Sequence, residues 1–318
     1  MIILFDWWPV IPLRFPLIGC LLFATVTCSD STTAANSGST STLLTDTPFP
    51  FDRVARVDLF VVSVSASLNP DTSSTSGGAF FTLATPNRRI NVLGLQNGLT
   101  DELGKASIPA GAITAVRMVI DTDSSSITLK SGTVLTGRST PGIQWQSSTG
   151  RPTLNALIHE QILVPNAGAI VIVDFDVGKA FIPPQEINPA STDSGFIFSP
   201  VIHAADATRT GSITGVVRAH STSGALIADA SLRLYLGKAT QPENTWSVLS
   251  TTKTDAAGKF KFSYVTRSAF WAATPTLAGY TYIVAVDPPA SAGTGRMLVP
   301  NVVVTAATET PLGTVVLP

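Results

Sequence analysis

The sequence predicts an all-β protein in which two β-sandwich-like domains stand behind a signal peptide and a disordered polar tether. Three observations carry the prediction. Ser, Thr, Val and Ala recur in short alternating runs broken by 24 Gly and 22 Pro together with Asn and Asp, the composition of strands and turns. No long stretch carries the 3.6-residue apolar period of an amphipathic helix. At 318 residues the chain is long enough for about two domains of roughly 100–200 residues, each able to bury a core without a disulfide.

The export segment comes first. Arg14 precedes an uncharged apolar run, Phe15–Thr27, whose length suits a signal-peptide core of roughly 7–15 residues and falls short of the roughly 20 needed to cross a bilayer. Met1–Leu13 is itself apolar and carries Asp6, Trp7 and Trp8 in place of lysines. The alternative is an uncleaved anchor made from Met1–Thr27, which would put Asp6 and Arg14 in the membrane at a cost.

Both cysteines lie in this region. Leu17-Ile18-Gly19-Cys20 resembles a lipobox, where the thiol takes a lipid, yet cleavage there leaves Leu21–Val26 as an apolar tail. Cys28 ends the apolar run and opens a polar stretch, Ser29–Ser41, too poor in apolar surface to fold. Cys28 is therefore the expected lipid attachment and Cys20 the alternative, although Thr25-Val26-Thr27 is a poor lipobox. The expected boundaries are a signal peptide over 1–27, a flexible tether over 28–43, a β-rich domain over 44–206 and a second sandwich over 207–318. Beyond Cys28 there is no thiol, which excludes disulfides and cysteine metal sites from the folded region.

The first domain reads as short strands and turns. Arg53–Leu68 places Val57, Leu59 and Val61 on one face, then Val62, Val64, Ala66 and Leu68 on the other, which predicts a bulge or a strand buried on both sides. Asn69–Gly78 is a flexible turn, followed by strands at Ala79–Ala84 and Ile90–Leu95. Thr100 as a cap with Asp101 and Glu102 behind it predicts a helical turn over Thr100–Gly104. Further strands are expected at Ile113–Asp121, Ile127–Leu129, Gln161–Val164, Ala169–Val177 and Phe196–Ile202.

These residues carry a resemblance. Thr45-Asp-Thr-Pro-Phe-Pro-Phe-Asp-Arg-Val-Ala-Arg-Val, Leu93-Gly-Leu-Gln-Asn-Gly-Leu, Ile108-Pro-Ala-Gly-Ala-Ile-Thr-Ala-Val-Arg-Met-Val-Ile-Asp, Asp174-Phe-Asp-Val and Phe198-Ser-Pro-Val-Ile resemble the bacterial lipoprotein family of the domain of unknown function 4382, over about Leu44–Asp206. The resemblance implies export and a domain extent, and carries no catalytic residues with it.

The second domain begins at Gly211-Ser-Ile-Thr-Gly-Val-Val and continues through Ile227-Ala-Asp-Ala-Ser-Leu-Arg-Leu-Tyr-Leu, Thr254-Asp-Ala-Ala-Gly-Lys-Phe-Lys-Phe and Tyr282-Ile-Val-Ala-Val. Alternating strands at this spacing predict a β-sandwich. Their order resembles the carboxypeptidase regulatory-like, transthyretin-like domains over Gly211–Pro318, in which an Asp-x-x-Gly turn enters a strand; Asp255 and Gly258 fit that turn. Nothing in the chain resembles the peptidase that such domains accompany.

The search for chemistry finds scattered candidates. Charged residues are only 13% of the chain and 20 Lys and Arg nearly cancel 21 Asp and Glu, so a nucleic-acid partner, which needs a clustered basic face, is not expected. His159, His203 and His220 are far apart in sequence, without metal-ligand spacing, and are expected at the surface or at strand edges. No nucleophile elbow, phosphate loop or Cys/His pair occurs, and no metal or other cofactor is expected. Asp174 and Asp176 flank Phe175 on an expected strand, so they share a face as a carboxylate pair or cation ligands; a strand end that meets backbone donors is the preferred reading. Asp121 and Asp123 suggest a cation too, and a plain Asx turn explains them equally well. Trp145, Trp246 and Trp271 fall near expected loops as candidates for stacking on a sugar or a protein partner, with core packing the commoner fate of tryptophan.

The leading expectation is a non-enzymatic, lipid-anchored protein of the cell envelope that binds, displays or adheres, held to the membrane by its N-terminal lipid. The alternatives are a carbohydrate-binding component of a polysaccharide-handling system and a hydrolase using Asp174 and Asp176.

Overall fold

The computed structural model describes residues 37–46, 53–69, 80–147, 149–188, 190, 192 and 194–318. Cys20, Cys28, the export segment and most of the Asn69–Gly78 turn lie outside the described residues.

The chain is all-β with a few single-turn helices. In the N-terminal part a five-stranded sheet runs in the order Leu157–Ile158, Ile202–Asp206, Ala169–Phe175, Ser37–Asp46 and Asp101–Pro109. A six-stranded sheet is built on Val54–Ser67 paired with Ala115–Leu129, and also takes in Thr153–Asn155, Phe80–Ala84, Arg88–Asn91 and Val134–Leu135. Leu44, Val171, Val173 and Phe175 from one sheet meet Val57, Leu59, Val61, Met118 and Ile120 from the other in a single buried cluster. Each such side chain contributes roughly 1.5–3 kcal/mol when taken from water, which is what binds the two layers together.

Ser37–Asp46 corrects the expected tether. Its polar Ser and Thr residues suggested solvent, yet the strand pairs in parallel with Ala169–Phe175 and antiparallel with Asp101–Pro109. Both neighbours satisfy its backbone, and Thr40, Thr42 and Leu44 are fully buried along one face. The tether reading therefore fails from Ser37 onward.

Asp101–Pro109 corrects the helical turn expected over Thr100–Gly104. The Asp101 carboxylate takes two hydrogen bonds from the Arg88 guanidinium at 2.8 and 2.6 Å, and pairing with Ser37–Asp46 overrides the local capping signal. The helical turns fall just earlier, at Val92–Gly98, where Thr45 Oγ1 donates to the carbonyls of Leu95 and Leu99.

The phase change in Val54–Ser67 is a bulge, with the register to Ala115–Leu129 shifting between Val61 and Ser63. A larger irregularity lies opposite: Asp58 pairs with Ser126 while Phe60 pairs with Asp121, so Thr122–Ser125 loop out of the ladder.

In the C-terminal part a three-stranded sheet, Lys259–Thr266, Thr210–Ala219 and Glu309–Leu317, faces a four-stranded sheet, Ser247–Lys253, Ser231–Gly237, Thr281–Asp287 and Met297–Val302. Ile213, Phe262 and Leu317 from the first pack with Leu232, Leu234, Tyr282 and Val284 from the second in their own buried cluster. The Asp255 turn closes as the spacing implies: its carboxylate accepts the N–H groups of Ala257 and Lys259 at 2.8 Å, and Gly258 takes a φ of +67° that suits glycine. Among the described residues no helix is long and apolar enough to cross a membrane.

Candidate functional site

Two places collect polar side chains, and the first is a seam between the two cores. Ile202–Asp206 carries His203 directly opposite Asp174 in the antiparallel pair with Ala169–Phe175, so both side chains rise from one face. The turn after Leu157–Ile158 brings His159 over that face, its ring stacked on His203 with centroids 5.6 Å apart. The expectation of scattered surface histidines is thus corrected for these two; His220 is exposed at a loop with φ of +58°. Sequence spacing missed the pair because strand register, not chain distance, brings it together.

From the other side Trp271 meets His159 edge-on at 5.3 Å. The Trp271 indole N–H donates to the Tyr282 hydroxyl at 2.6 Å, and that hydroxyl donates to the Thr266 carbonyl. Trp271 is therefore a buried core residue, which corrects its reading as a loop contact for ligand. A cavity of about 70 Å³ remains at the seam, lined by His159, Asp174, His203, Arg209, Tyr264 and Tyr282 among others. Beside it the Glu160 carboxylate is clamped by Arg209 at 2.7 Å and Arg267 at 2.5 Å, one arginine from the link between the cores and one from the C-terminal part.

Burial pushes the His203 imidazole down to about 4, helped by His159 and Lys179 and opposed by Asp176. Burial also lowers His159. Both rings are held toward the neutral form, and the buried His203 Nε2 has no hydrogen-bond partner within the protein. Among the described residues no three His, Cys, Asp or Glu side chains are placed to hold a metal.

Asp176 does not share a strand face with Asp174. The strand ends at Phe175, and Asp176 caps the short helix Val177–Ala180, accepting the Lys179 N–H at 3.0 Å and pairing with the Lys179 ammonium at 2.9 Å. The paired-carboxylate geometry is thus corrected, while the strand-end reading of Asp176 describes it. Asp46, which sequence reasoning passed over, is the more perturbed group. Burial pushes its carboxyl well above the usual range, the Val177 N–H at 3.1 Å offsets part of this, and Asp174 and Asp176 push it further.

The second place is a groove at the Thr122–Ser125 bulge. Asp121 organises the bulge, accepting the Ser124 N–H at 3.0 Å on its carboxylate and the Ser125 hydroxyl at 2.6 Å on its carbonyl, so one residue bridges both ends of the loop-out. Arg151 pairs with Asp121 at 3.0 Å and Arg138 with Asp123 at 3.0 Å, so arginines stand where a cation was the alternative. Ile143–Trp145 lies parallel to Phe196–Phe198 and carries Trp145 to the groove, where the ring packs on Phe198 at 4.7 Å and Phe181 at 5.9 Å. Asp123 and Trp145 line the same groove, of about 660 Å³. Trp246 lies elsewhere: it rests edge-on against Tyr235 at 5.6 Å and donates its indole N–H to the Lys238 carbonyl at 3.0 Å.

Sheets, seam and groove together define a two-core all-β sandwich protein whose polar features gather at its loops and at its seam. The chain belongs to the family described as Domain of unknown function (DUF4382), whose model matches residues 37–200 and so begins with the first residue of the strand Ser37–Asp46. No curated protein matches the sequence. Among solved structures, the shaft pilin SpaA of Lactobacillus rhamnosus GG is similar at 11% identity over 89% of this chain and 97% of its own, with a TM-score of 0.22. The minor pilin of Streptococcus agalactiae is similar at 10% identity over 87% of this chain and 94% of its own, with a TM-score of 0.21. A 9R-lipoxygenase from Cyanothece is similar at 12% identity over 35% of this chain and only 17% of its own, with a TM-score of 0.22. These superpositions are too loose to carry an argument, and the fold rests on the chain's own sheets.

Proposed function

We propose that the protein is exported, anchored in the cell envelope by a lipid on Cys28, and acts without catalysis as a binding or display module. The observation that supports this best is the position of Cys28. It follows the apolar run Phe15–Thr27, and the first strand starts at Ser37, which leaves Ser29–Asn36 as the link. Eight residues reach about 28 Å at full extension, so the sandwich would stand close to the membrane that holds the lipid. The resemblance to a lipoprotein family points the same way. The hydrolase alternative loses its geometry, because the Asp176 carboxylate is engaged by its own helix and by Lys179.

Mass spectrometry of the membrane fraction tests the anchor: a lipidated N-terminal peptide starting at Cys28 is expected, and Cys28→Ser should release the protein. A peptide starting at Cys20 moves the site to the alternative cysteine. Retention in both single variants, with an unprocessed N-terminus, overturns lipid anchoring in favour of an uncleaved segment.

A further inference from the structure

We propose that the groove at the Thr122–Ser125 bulge is a binding subsite for a neutral oligosaccharide, an inference that rests on the binding role proposed above. At about 660 Å³ the groove lies within the roughly 300–1,000 Å³ of small-molecule sites. Thr122, Asp123, Ser139, Gln144 and Thr149 line the groove together with Trp145. A pyranose offers an apolar C–H face for an aromatic ring and hydroxyls around its rim, which is the complement of this lining.

Charge selects against an ionic ligand. Asp123 is paired with Arg138 and Asp121 with Arg151, so each carboxylate at the bulge already has its counter-charge and the groove presents dipoles in place of a net field. A neutral, many-hydroxyl molecule finds donors and acceptors without having to displace an ion pair.

The platform is also fixed in advance. Phe198 and Phe181 hold the Trp145 ring, so stacking on it orders no mobile side chain. The loop beside it is tied by its own hydrogen bonds: Thr136 N–H donates to Ser139 Oγ at 2.8 Å, Ser139 Oγ donates to the Pro141 carbonyl at 2.8 Å, and Ile143 N–H donates to the Thr136 carbonyl at 2.8 Å. Across the groove Thr122 N–H donates to the Gly150 carbonyl at 2.9 Å. Gly137 sits against the indole edge, where a Cβ would lie 2.8 Å from Cδ1 and 2.9 Å from Nε1. The indole N–H beneath it is buried and has no acceptor within the protein, which a small bridging water would supply.

The test uses full-length protein in detergent micelles, titrated calorimetrically with cellotriose, maltotriose and triacetylchitotriose, with trigalacturonic acid as the anionic control. At least one neutral trisaccharide should bind and the anionic one should not. Trp145→Phe keeps a ring against Phe198 and should weaken binding about tenfold while the protein still melts cooperatively. Thr149→Val, at an exposed position, should weaken it by a smaller factor. No binding by any neutral sugar, preference for the anionic one, or affinity unchanged in both variants overturns the subsite. Lipidation is scored separately from the membrane fraction, so a lipidated chain that binds no sugar sinks the subsite and leaves the envelope reading standing.

Discussion

In the C-terminal part seven strands in two sheets close over one cluster of aliphatic and aromatic side chains, and the buried polar residues there are Thr210, Thr252 and Thr254. In the N-terminal part the sheets are larger and interrupted by bulges, and among the described residues the buried carboxylates, Asp46, Asp176 and Asp206, all belong to it. Burying a carboxylate is costly unless it is paired or protonated, whereas burying a neutral hydroxyl costs far less. The C-terminal sandwich thus resembles a scaffold optimised for packing, and the N-terminal one carries polar features that packing alone would not select. Seam histidines, bulge and groove are all drawn from that second kind of region.

Phe262→Ala presses hardest on this contrast. Phe262 is fully buried between the C-terminal sheets, and removing its ring should cost about 3–5 kcal/mol. If the cores are separable, hydrogen exchange will accelerate across 211–318 and stay slow across the buried strands of 54–204. The fragment Gly211–Pro318 should then also melt cooperatively by itself. Simultaneous loss of protection in both parts would show one cooperative unit instead.

The seam gives the next largest effect. His203 has a folded pKa lowered from 6.5 to about 4, so the folded state resists its protonation. Its contribution is complete above pH 6.5 and is lost as pH falls from 6.5 toward 4, to a total of about 3 kcal/mol. Asp46 works in the opposite sense: its raised folded pKa makes the ionised form the destabilising one, so acidification relieves it. The melting temperature should fall between pH 6.5 and 4 in the wild type and fall less in His203→Gln, while Asp46→Asn should be more stable than wild type at pH 7. A His203→Gln profile that overlays the wild type removes the histidine from the account.

Asp176→Ala should have the smallest effect, about 1 kcal/mol, from loss of the cap on Val177–Ala180 and of the Lys179 pair. The local amides of Lys179 and Ala180 should exchange faster while the C-terminal sandwich is unchanged. A loss several times larger would mean that the Lys179 pair, whose carboxylate is buried, is worth more than an exposed ion pair.

Period-two alternation was enough to read four of the seven C-terminal strands and the bulge in Val54–Ser67, and the Asp-x-x-Gly spacing pointed to the Asp255–Gly258 turn, because each depends on residues close in the chain. Trp145 and Asp123 were visible as candidates, each for its own chemistry, but nothing local said that they share a groove. Their meeting depends on the parallel pairing of Ile143–Trp145 with Phe196–Phe198 and on the loop-out opposite Asp58.

What the sequence by itself determined is the all-β class and the absence of any thiol beyond Cys28, since composition and short-range pattern decide these. Tertiary structure alone decided that Ser37–Asp46 is a central strand, that Asp101–Pro109 is extended, and that His159, His203 and Glu160 converge with Arg267 and Trp271. The physical reason is the same in each case. A polar strand is stabilised by the neighbours that satisfy its backbone, and a buried histidine pair by the register that sets one ring over another. Those partners lie too far along the chain for any local pattern to announce them.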